Sequence, residues 1–422
     1  MPPPPIRRSG SPGGFGPAQP QFFDEPARSL PGASKKSEGA AAPPAPAREL
    51  LERLFLTDVI RPGPRRPPPF SNRHARGACK NLPPIGPAAI FSPPAGLVVA
   101  SCLAALVTAA GCEMSSARAM TEAAPDSFTI VALPDTQYYA AAHPEILAAQ
   151  SDWILRRSHD DRIAAVVHEG DVVDADEPRQ WRAAARSLHR LDGVVPWLPS
   201  TGNHDYSRNG KFISRNSQID TYFPPAAFAR NAWFGGTFEE GRIENSFAIV
   251  EAPGGPWMII SLEFGPRDAV LAWADQVAKR YAALPTIVVT HAYLYSDGTR
   301  YDHLNRPDQL WNPHAYLPDG ETGQVNDGEE IWRKLIVRNR NVLFVLCGHD
   351  LADGVAELTS ARPDGTLVHQ VLANYQTGKL GGEGFLRVMR FFPSERRVAI
   401  HTYSPYLDRF KSDADNEFSL AY

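Results

Sequence analysis

The chain predicts an α/β fold in which helices cover the sheets and a run of antiparallel strands follows. Two observations predict it. From Phe128 onward, short β-branched or apolar runs alternate with segments of helical spacing, as in sheets whose faces are covered by helices. After Gly354 the helical segments stop and strand-like runs follow one another directly. A third observation concerns the strand ends, where polar residues gather; open α/β sheets bind ligands at that edge.

Taken in order, 128–133 (FTIVAL) is β-branched and apolar and reads as the first strand. The segment 144–157 places Ile146, Leu147, Trp153 and Ile154 at helical spacing. A strand over 163–167, a helix over 178–191 and a strand over 194–198 come next, then strands over 246–250 and 257–262. A helix over 267–281, a strand over 286–289, a helix over 328–339 and a strand over 342–347 complete the alternating part. The runs 355–359, 367–373, 385–391 and 397–403 are successive strands. Loops over 206–240 and 292–327 are long and dense in aromatics, which argues for ordered, functional inserts. Both follow polar strand ends and should overhang them. Arg300 and the loop histidines are candidates to hold a phosphate or a ring; the alternative is that the inserts simply pack on the domain.

The part before Phe128 is of another kind. About 22 of the 40 prolines lie before residue 95, and residues 1–80 are expected to be a disordered Pro-rich tail. Within it, Leu50, Leu51, Leu54 and Leu56 allow only a transient helical turn over 48–59. Residues 81–119 read as an export leader, because Arg73, Arg76 and Lys80 precede the apolar run 97–111. That run is short for a membrane span and suits a signal core. Ala109-Ala110-Gly111-Cys112 resembles a bacterial lipobox, with Cys112 as the lipidated residue, and Ala117-Arg118-Ala119 fits ordinary cleavage before Met120. Such a signal belongs at a chain start, so residues 1 to about 70 are expected to derive from a start codon placed too far upstream. The alternative is a disordered tail ahead of a membrane anchor. Either way, residues 120–422 are expected outside the cytoplasm, periplasmic or secreted and possibly anchored through Cys112.

Charge and cysteine content exclude other classes. Residues 1–80 hold 13 Lys/Arg against 6 Asp/Glu and 81–119 are neutral, so with a total of −4 the part from Met120 is near −11. An acidic domain argues against a nucleic-acid polymer as partner. The four cysteines form no C-x-x-C pair, which excludes a four-cysteine zinc module and a disulfide framework.

Five strand ends carry Pro134-Asp135-Thr136-Gln137, Glu169-Gly170-Asp171-Val172-Val173-Asp174, Thr201-Gly202-Asn203-His204-Asp205, Thr290-His291 and Gly348-His349-Asp350. Asp, Asp, Asn, His and His make a mixed oxygen and nitrogen shell suited to divalent transition metals. The ordered set resembles the calcineurin-like metallophosphoesterase superfamily, whose pattern runs D-x-H, G-D-x-x-D, G-N-H-[DE], a lone His and G-H-x-H. The resemblance spans about 128–354. It implies a four-layer αββα sandwich, two mixed β-sheets flanked by helices, with the strand-rich tail as part of the second sheet. It implies two divalent ions (Mn, Fe, Mg or Zn) bridged by Asp171. Asn203, His291 and His349 would complete one site, and Asp135 and Gln137 would contribute to the other.

Gln137 stands where that pattern has His, and Leu351 replaces the second His of G-H-x-H. Both losses fall on the same site, which should be oxygen-rich, weakly held and inclined to harder ions; Asp350 or Asp353 is a candidate substitute ligand. The resemblance further implies hydrolysis of a phosphomonoester or phosphodiester by metal-activated hydroxide. In it, His204 is the general acid and Asp205 orients its imidazole and raises its pKa. Asp174 is read as holding a ligand or capping the next helix, and His168 as a hydrogen-bonded core histidine. The expected partner is a small phosphorylated substrate. Two alternatives stand beside this reading, a binding or scaffold protein on the same fold and hydrolysis of a non-phosphate ester.

Overall fold

The computed structural model describes residues 126–316 and 325–422. The Pro-rich tail with its helical turn, the leader with Cys112 and the cleavage point before Met120 all lie outside the described residues.

Two mixed sheets form the centre. In the first, β1 (Phe128–Leu133) lies between β2 (Ile163–His168) and β11 (Leu386–Phe392); β3 (Trp197–Pro199) extends it on one side, and β12 (Arg397–Ser404) and β13 (Arg409–Lys411) on the other, with β14 (Glu417–Ala421) also pairing β12. The strands β1, β2 and β3 run parallel, whereas β11 joins β1 antiparallel with Phe128 opposite Phe391. The second sheet runs β4 (Phe234–Thr237), β5 (Ser246–Val250), β6 (Trp257–Ser261), β7 (Thr286–Val289), β8 (Val342–Cys347), β10 (Leu367–Ala373) and β9 (Val355–Ala361). Its inner strands β6, β7, β8 and β10 are parallel.

The C-terminal strands therefore do not form one antiparallel sheet, nor do they all join the second. β9 and β10 complete the second sheet, while β11 to β14 complete the first. A strand's own sequence records its two faces but not its neighbour, which is set by where the connecting turns lead.

Alternation along β6, β7 and β8 builds the layers. Trp257, Ile259, Ile287, Val289, Phe344 and Leu346 face the core shared by the two sheets, and Met258, Ile260, Val288, Val345 and Cys347 face the helical layer. A period of two sends successive side chains to opposite faces, so the uniformly apolar strands are buried on both. The outer layer of the second sheet is α6 (Asp268–Arg280), with Val270, Leu271, Ala274 and Val277 inward, and α7 (Gly328–Ile331). Asp327 caps α7 in a reciprocal capping box with Glu330, and the helix passes into a π-helical turn over Trp332–Ile336 rather than running on to residue 339. On the first sheet lie α1 (Gln137–Ala142), α2 (Pro144–Arg157) and α3 (Pro178–Leu188), where Ile146, Leu147, Trp153, Ile154, Trp181 and Leu188 are buried. Between the sheets, Trp257 meets Phe128 at 5.6 Å and Phe391 at 4.8 Å, and Phe128 stacks on Phe391 at 4.9 Å. Among the described residues no helix is long and apolar enough to cross a membrane.

Candidate metal centre

The C-terminal ends of β1, β2 and β3 in one sheet and of β7 and β8 in the other meet at one point. Asp135, Asp171 and His291 are buried and place donor atoms within 4.8 Å of one another. His291 Nε2 lies 3.3 Å from Asp171 Oδ2 and 3.8 Å from Asp135 Oδ1. The His349 backbone N–H, across the sheet interface, points at both Asp135 oxygens from 3.3 Å. Three of these residues hold left-handed backbone, Asp135 at φ 23°, Asp171 at 49° and His349 at 77°. Each costs about 1–3 kcal/mol, a strain typical of functional positions. Two glycines let the strand ends approach. A Cβ on Gly202 would overlap the Asp171 carboxylate, and one on Gly348 would overlap Asp135.

Proton placement identifies what the cluster lacks. His291 donates its Nδ1–H to the Glu169 carbonyl at 2.9 Å, and His349 donates its Nε2–H to the Trp311 carbonyl at 2.8 Å. Carbonyls only accept, so in the neutral rings His291 Nε2 and His349 Nδ1 present lone pairs to each other across 3.2 Å. Burial holds His349 down at about 3, so it is neutral. Burial and the Asp171 charge push the Asp135 carboxyl well above its usual range. For Asp171 itself burial acts upward, but the facing His291 and His204 rings outweigh it and hold the carboxyl low. Asn203 Oδ1 and Gln137 Oε1 are buried acceptors without a donor. Lone pairs, carboxylates and orphaned amide oxygens converging in this way fit a divalent cation, and histidines that spend their other N–H on carbonyls are oriented as metal ligands are.

The sequence profile of calcineurin-like phosphoesterases matches residues 128–353. The chain belongs to the calcineurin-like phosphoesterase family. The chemistry of that family is metal-dependent hydrolysis of phosphoric esters. Over 312 residues the chain is 31% identical to the uncharacterized protein YvnB of Bacillus subtilis (strain 168), a match covering 71% of this chain and 22% of YvnB; the chain thus spans about a fifth of that relative. Among solved structures, GAP50, the anchor in the inner membrane complex of Plasmodium, aligns with a TM-score of 0.39 and 13% identity over 70% of this chain and 90% of its own. The NAD nucleotidase NadN of Haemophilus influenzae aligns with a TM-score of 0.29 and 9% identity over 68% of this chain and 49% of its own.

Within this calcineurin-like phosphoesterase the two departures from the family pattern meet a third residue. Gln137 Nε2 donates to Asp171 Oδ2 at 3.0 Å and to the buried Gln376 Oε1. Gln376 follows β10, so it stands at one more strand end, beside Asn374 and Tyr375. The strand-end rule that singles out the other five would have found it. Asp350 is not a spare ligand, because it accepts from the Tyr301 hydroxyl at 3.0 Å and from the Ala352 N–H; Asp353 is exposed.

His204 requires a correction. Its N–H donates to Asp171 Oδ1 at 3.0 Å, and its ring Nδ1 faces the Asp174 carbonyl at 2.9 Å and the Asp174 carboxylate at 3.4 Å. Asp205 does not orient the imidazole. It is buried under the turn, accepting the N–H groups of Val173 and Gly202 at 2.9 Å each, and so fixes the loop that carries Asp171. On a 3-10 turn (Asn203–Tyr206) consecutive side chains leave in different directions, so adjacency in sequence misassigned the partner. Burial acts to lower the His204 pKa, but the Asp171 and Asp174 charges prevail and raise it to about 9. Asp174 is not a cap, since Glu177 occupies the cap position of α3. His168 is a core histidine, bonded to the Thr136 hydroxyl at 2.8 Å and to the Gly170 N–H, with burial holding it at about 3.

Phe264, which follows β6, and Tyr316 of the 292–327 insert wall this centre, and the 206–240 insert packs behind them. Phe264 lies 5.9 Å from the His291 ring and 5.5 Å from the His349 ring, and Tyr316 lies 5.8 Å from His349. Phe212 packs on Tyr206 and Phe264, while Phe223 and Phe228 pack on Trp197. Arg300 is committed elsewhere, stacked 4.3 Å over Trp332 and bonded to Glu329, Ser360 and Gln370.

Proposed function

We propose that this chain hydrolyses a small phosphorylated substrate outside the cytoplasm, with His204 as the acid that protonates the leaving alcohol. The observation that carries the reading is the convergence of His291 Nε2, His349 Nδ1, Asp135 and Asp171 beside a histidine raised to about 9. Divalent ions bound there, Mn²⁺ foremost, would neutralise phosphate oxygens and would lower the pKa of a water toward that of a nucleophile. Asp135, Asp171, Asn203, His291 and His349 would hold them, and Gln137, whose amide oxygen is without a donor, would contribute on the Asp135 side. The His204 ring, anchored through Nδ1 on Asp174, leaves Nε2–H to face the leaving oxygen, and at neutral pH that proton is present. Beside it opens a pocket lined by Asp176, Ser207, Arg208, Asn209, Lys211 and Ile213. Arg208, paired with Glu177 at 3.3 Å, and Lys211 stand on its rim opposite the Asp176 carboxylate. Location outside the cytoplasm, with lipid on Cys112, rests on the apolar run 97–111. Peptides from residues 1–60 in the native protein, found by mass spectrometry, would overturn the upstream-start reading and leave a tail ahead of a membrane anchor.

The deciding experiment combines metal analysis with turnover of generic phosphomonoester and phosphodiester substrates in Mn²⁺. His349→Ala is expected to lose both metal and activity, and His204→Ala to lose activity by about 10²–10⁴-fold while retaining metal. Gln137 and Leu351, in place of two imidazoles, favour a second reading, a binding protein on the same fold. Absence of turnover with every divalent ion and both ester classes would favour that reading over hydrolysis.

A further inference from the structure

A second group of ligand-type side chains lies outside the strand-end centre. His303, His314, Asp327 and Glu330 each place one donor atom within 4.8 Å of the others. His303 Nδ1 is 2.8 Å from Asp327 Oδ2, and His314 Nε2 is 2.7 Å from Glu330 Oε2. The two imidazoles stack with centroids 3.5 Å apart and planes inclined by 25°. The floor is closed and the mouth open: the Asp327 side chain is 1% exposed and those of His303 and His314 are 29% and 23% exposed.

Charge balance decides what this arrangement favours. Two imidazolium ions at stacking distance repel, whereas two neutral rings leave the Asp327 charge to hydrogen bonds from His303, Glu330 and Asn312, and the Glu330 charge to the Asp327 N–H and to Lys334, 3.6 Å away. One divalent cation in place of two protons neutralises both carboxylates and lets the rings stay close. Two imidazole nitrogens and two carboxylate oxygens form a donor set for Zn²⁺ or a neighbouring transition ion. A tetrahedral shell with bonds of about 2.0–2.1 Å sets its ligands roughly 3.3 Å apart, which the present pairs reach by opening slightly.

We propose that His303, His314, Asp327 and Glu330 form a separate structural site for a divalent transition ion, which clamps the 292–327 insert to the start of α7. The clamp has a consequence at the strand-end centre. Asp327 Oδ2 also accepts the His303 backbone N–H at 2.8 Å and the Asn312 side chain at 3.3 Å, so the ion fixes the stretch between the two histidines. Trp311 lies in that stretch with a left-handed backbone, φ 61°, and its carbonyl is the acceptor for His349 Nε2–H. The ion thus holds the group that orients a ligand of the other centre. The site is independent of the proposed hydrolysis and is read by metal binding rather than by turnover.

The test uses the full chain with His291→Ala, which disables the strand-end centre, and titrates it with Zn²⁺ under equilibrium dialysis. One tightly held equivalent is expected to remain, and to disappear when His303→Ala and His314→Ala are added. Should the combined variant misfold by circular dichroism, Glu330→Gln decides. That variant keeps the size of the side chain, and its Zn²⁺ affinity is expected to fall at least about tenfold, the lower end of what disturbing a ligand's partners produces. Retention of the equivalent at unchanged affinity in a folded variant overturns the proposal, as does its absence from the His291→Ala protein.

Discussion

The charge on His204 comes from two carboxylates that reach it from the same strand end, Asp171 through the backbone N–H and Asp174 through the ring. Because its pKa is raised, and Asp174 keeps its part of that rise when a cation takes up the Asp171 charge, the acid form is present at neutral pH and is lost as pH rises. Activity is therefore expected to fall along an alkaline limb. Asp174→Asn removes one stabilising charge and is expected to move that limb about one unit toward neutrality, the worth of roughly one charge-assisted hydrogen bond. Metal content should not change. A pH–rate profile with an unmoved limb would show that Asp174 does not act through His204. At this scale the sequence was most informative about residues whose place is set by a strand end. Asp135, Asp171, Asn203, His291 and His349 all stand at such ends, and the family resemblance gave them there as ligands. The sequence reading failed where two neighbours on a turn diverge, as His204 and Asp205 do. It passed over Gln376 because β10, although expected as a strand, lies in the run where only antiparallel strands were foreseen.

Among the elements, the strongest test is the aromatic layer between the sheets. Trp257 touches Phe128, Phe391 and Tyr422, the last at 5.7 Å. Trp257→Ala is expected to destabilise the domain by about 3–5 kcal/mol, read as a lower urea midpoint. Leu367→Ala, at a side chain 42% exposed, should stay within about 0.5 kcal/mol. Element types were legible because buried strands and amphipathic helices have different periods; β1, β7 and β8 match the sequence expectation in both type and extent. The helix expected over 328–339 is one α-turn followed by a wider π-turn, since the apolar spacing alone does not distinguish the two windings. The short strands β4, β13 and β14 were not foreseen. Their three to five residues are at most half-buried, and so leave little hydrophobic pattern.

For the whole molecule, the buried carboxylates Asp135 and Asp171 make stability depend on the cation that neutralises them. Chelation is expected to lower the unfolding temperature by several degrees, since an ion at a hundred times its Kd contributes about 2.7 kcal/mol. An unchanged transition after EDTA would mean that the carboxylates are neutralised by protons instead. The order of the strands in the first sheet has a different consequence, for the growing chain. The family profile ends at residue 353, yet β1 sits between β2 and β11, and both sheets take strands from beyond that point. The first of the described strands to be synthesised waits for a neighbour encoded near the end. Until β11 emerges, β1 has an unpaired edge lined by Phe128, Ile130 and Val131, a template for pairing with other chains. Production of this protein is therefore governed less by how stable the finished sandwich is than by how long that edge stays open.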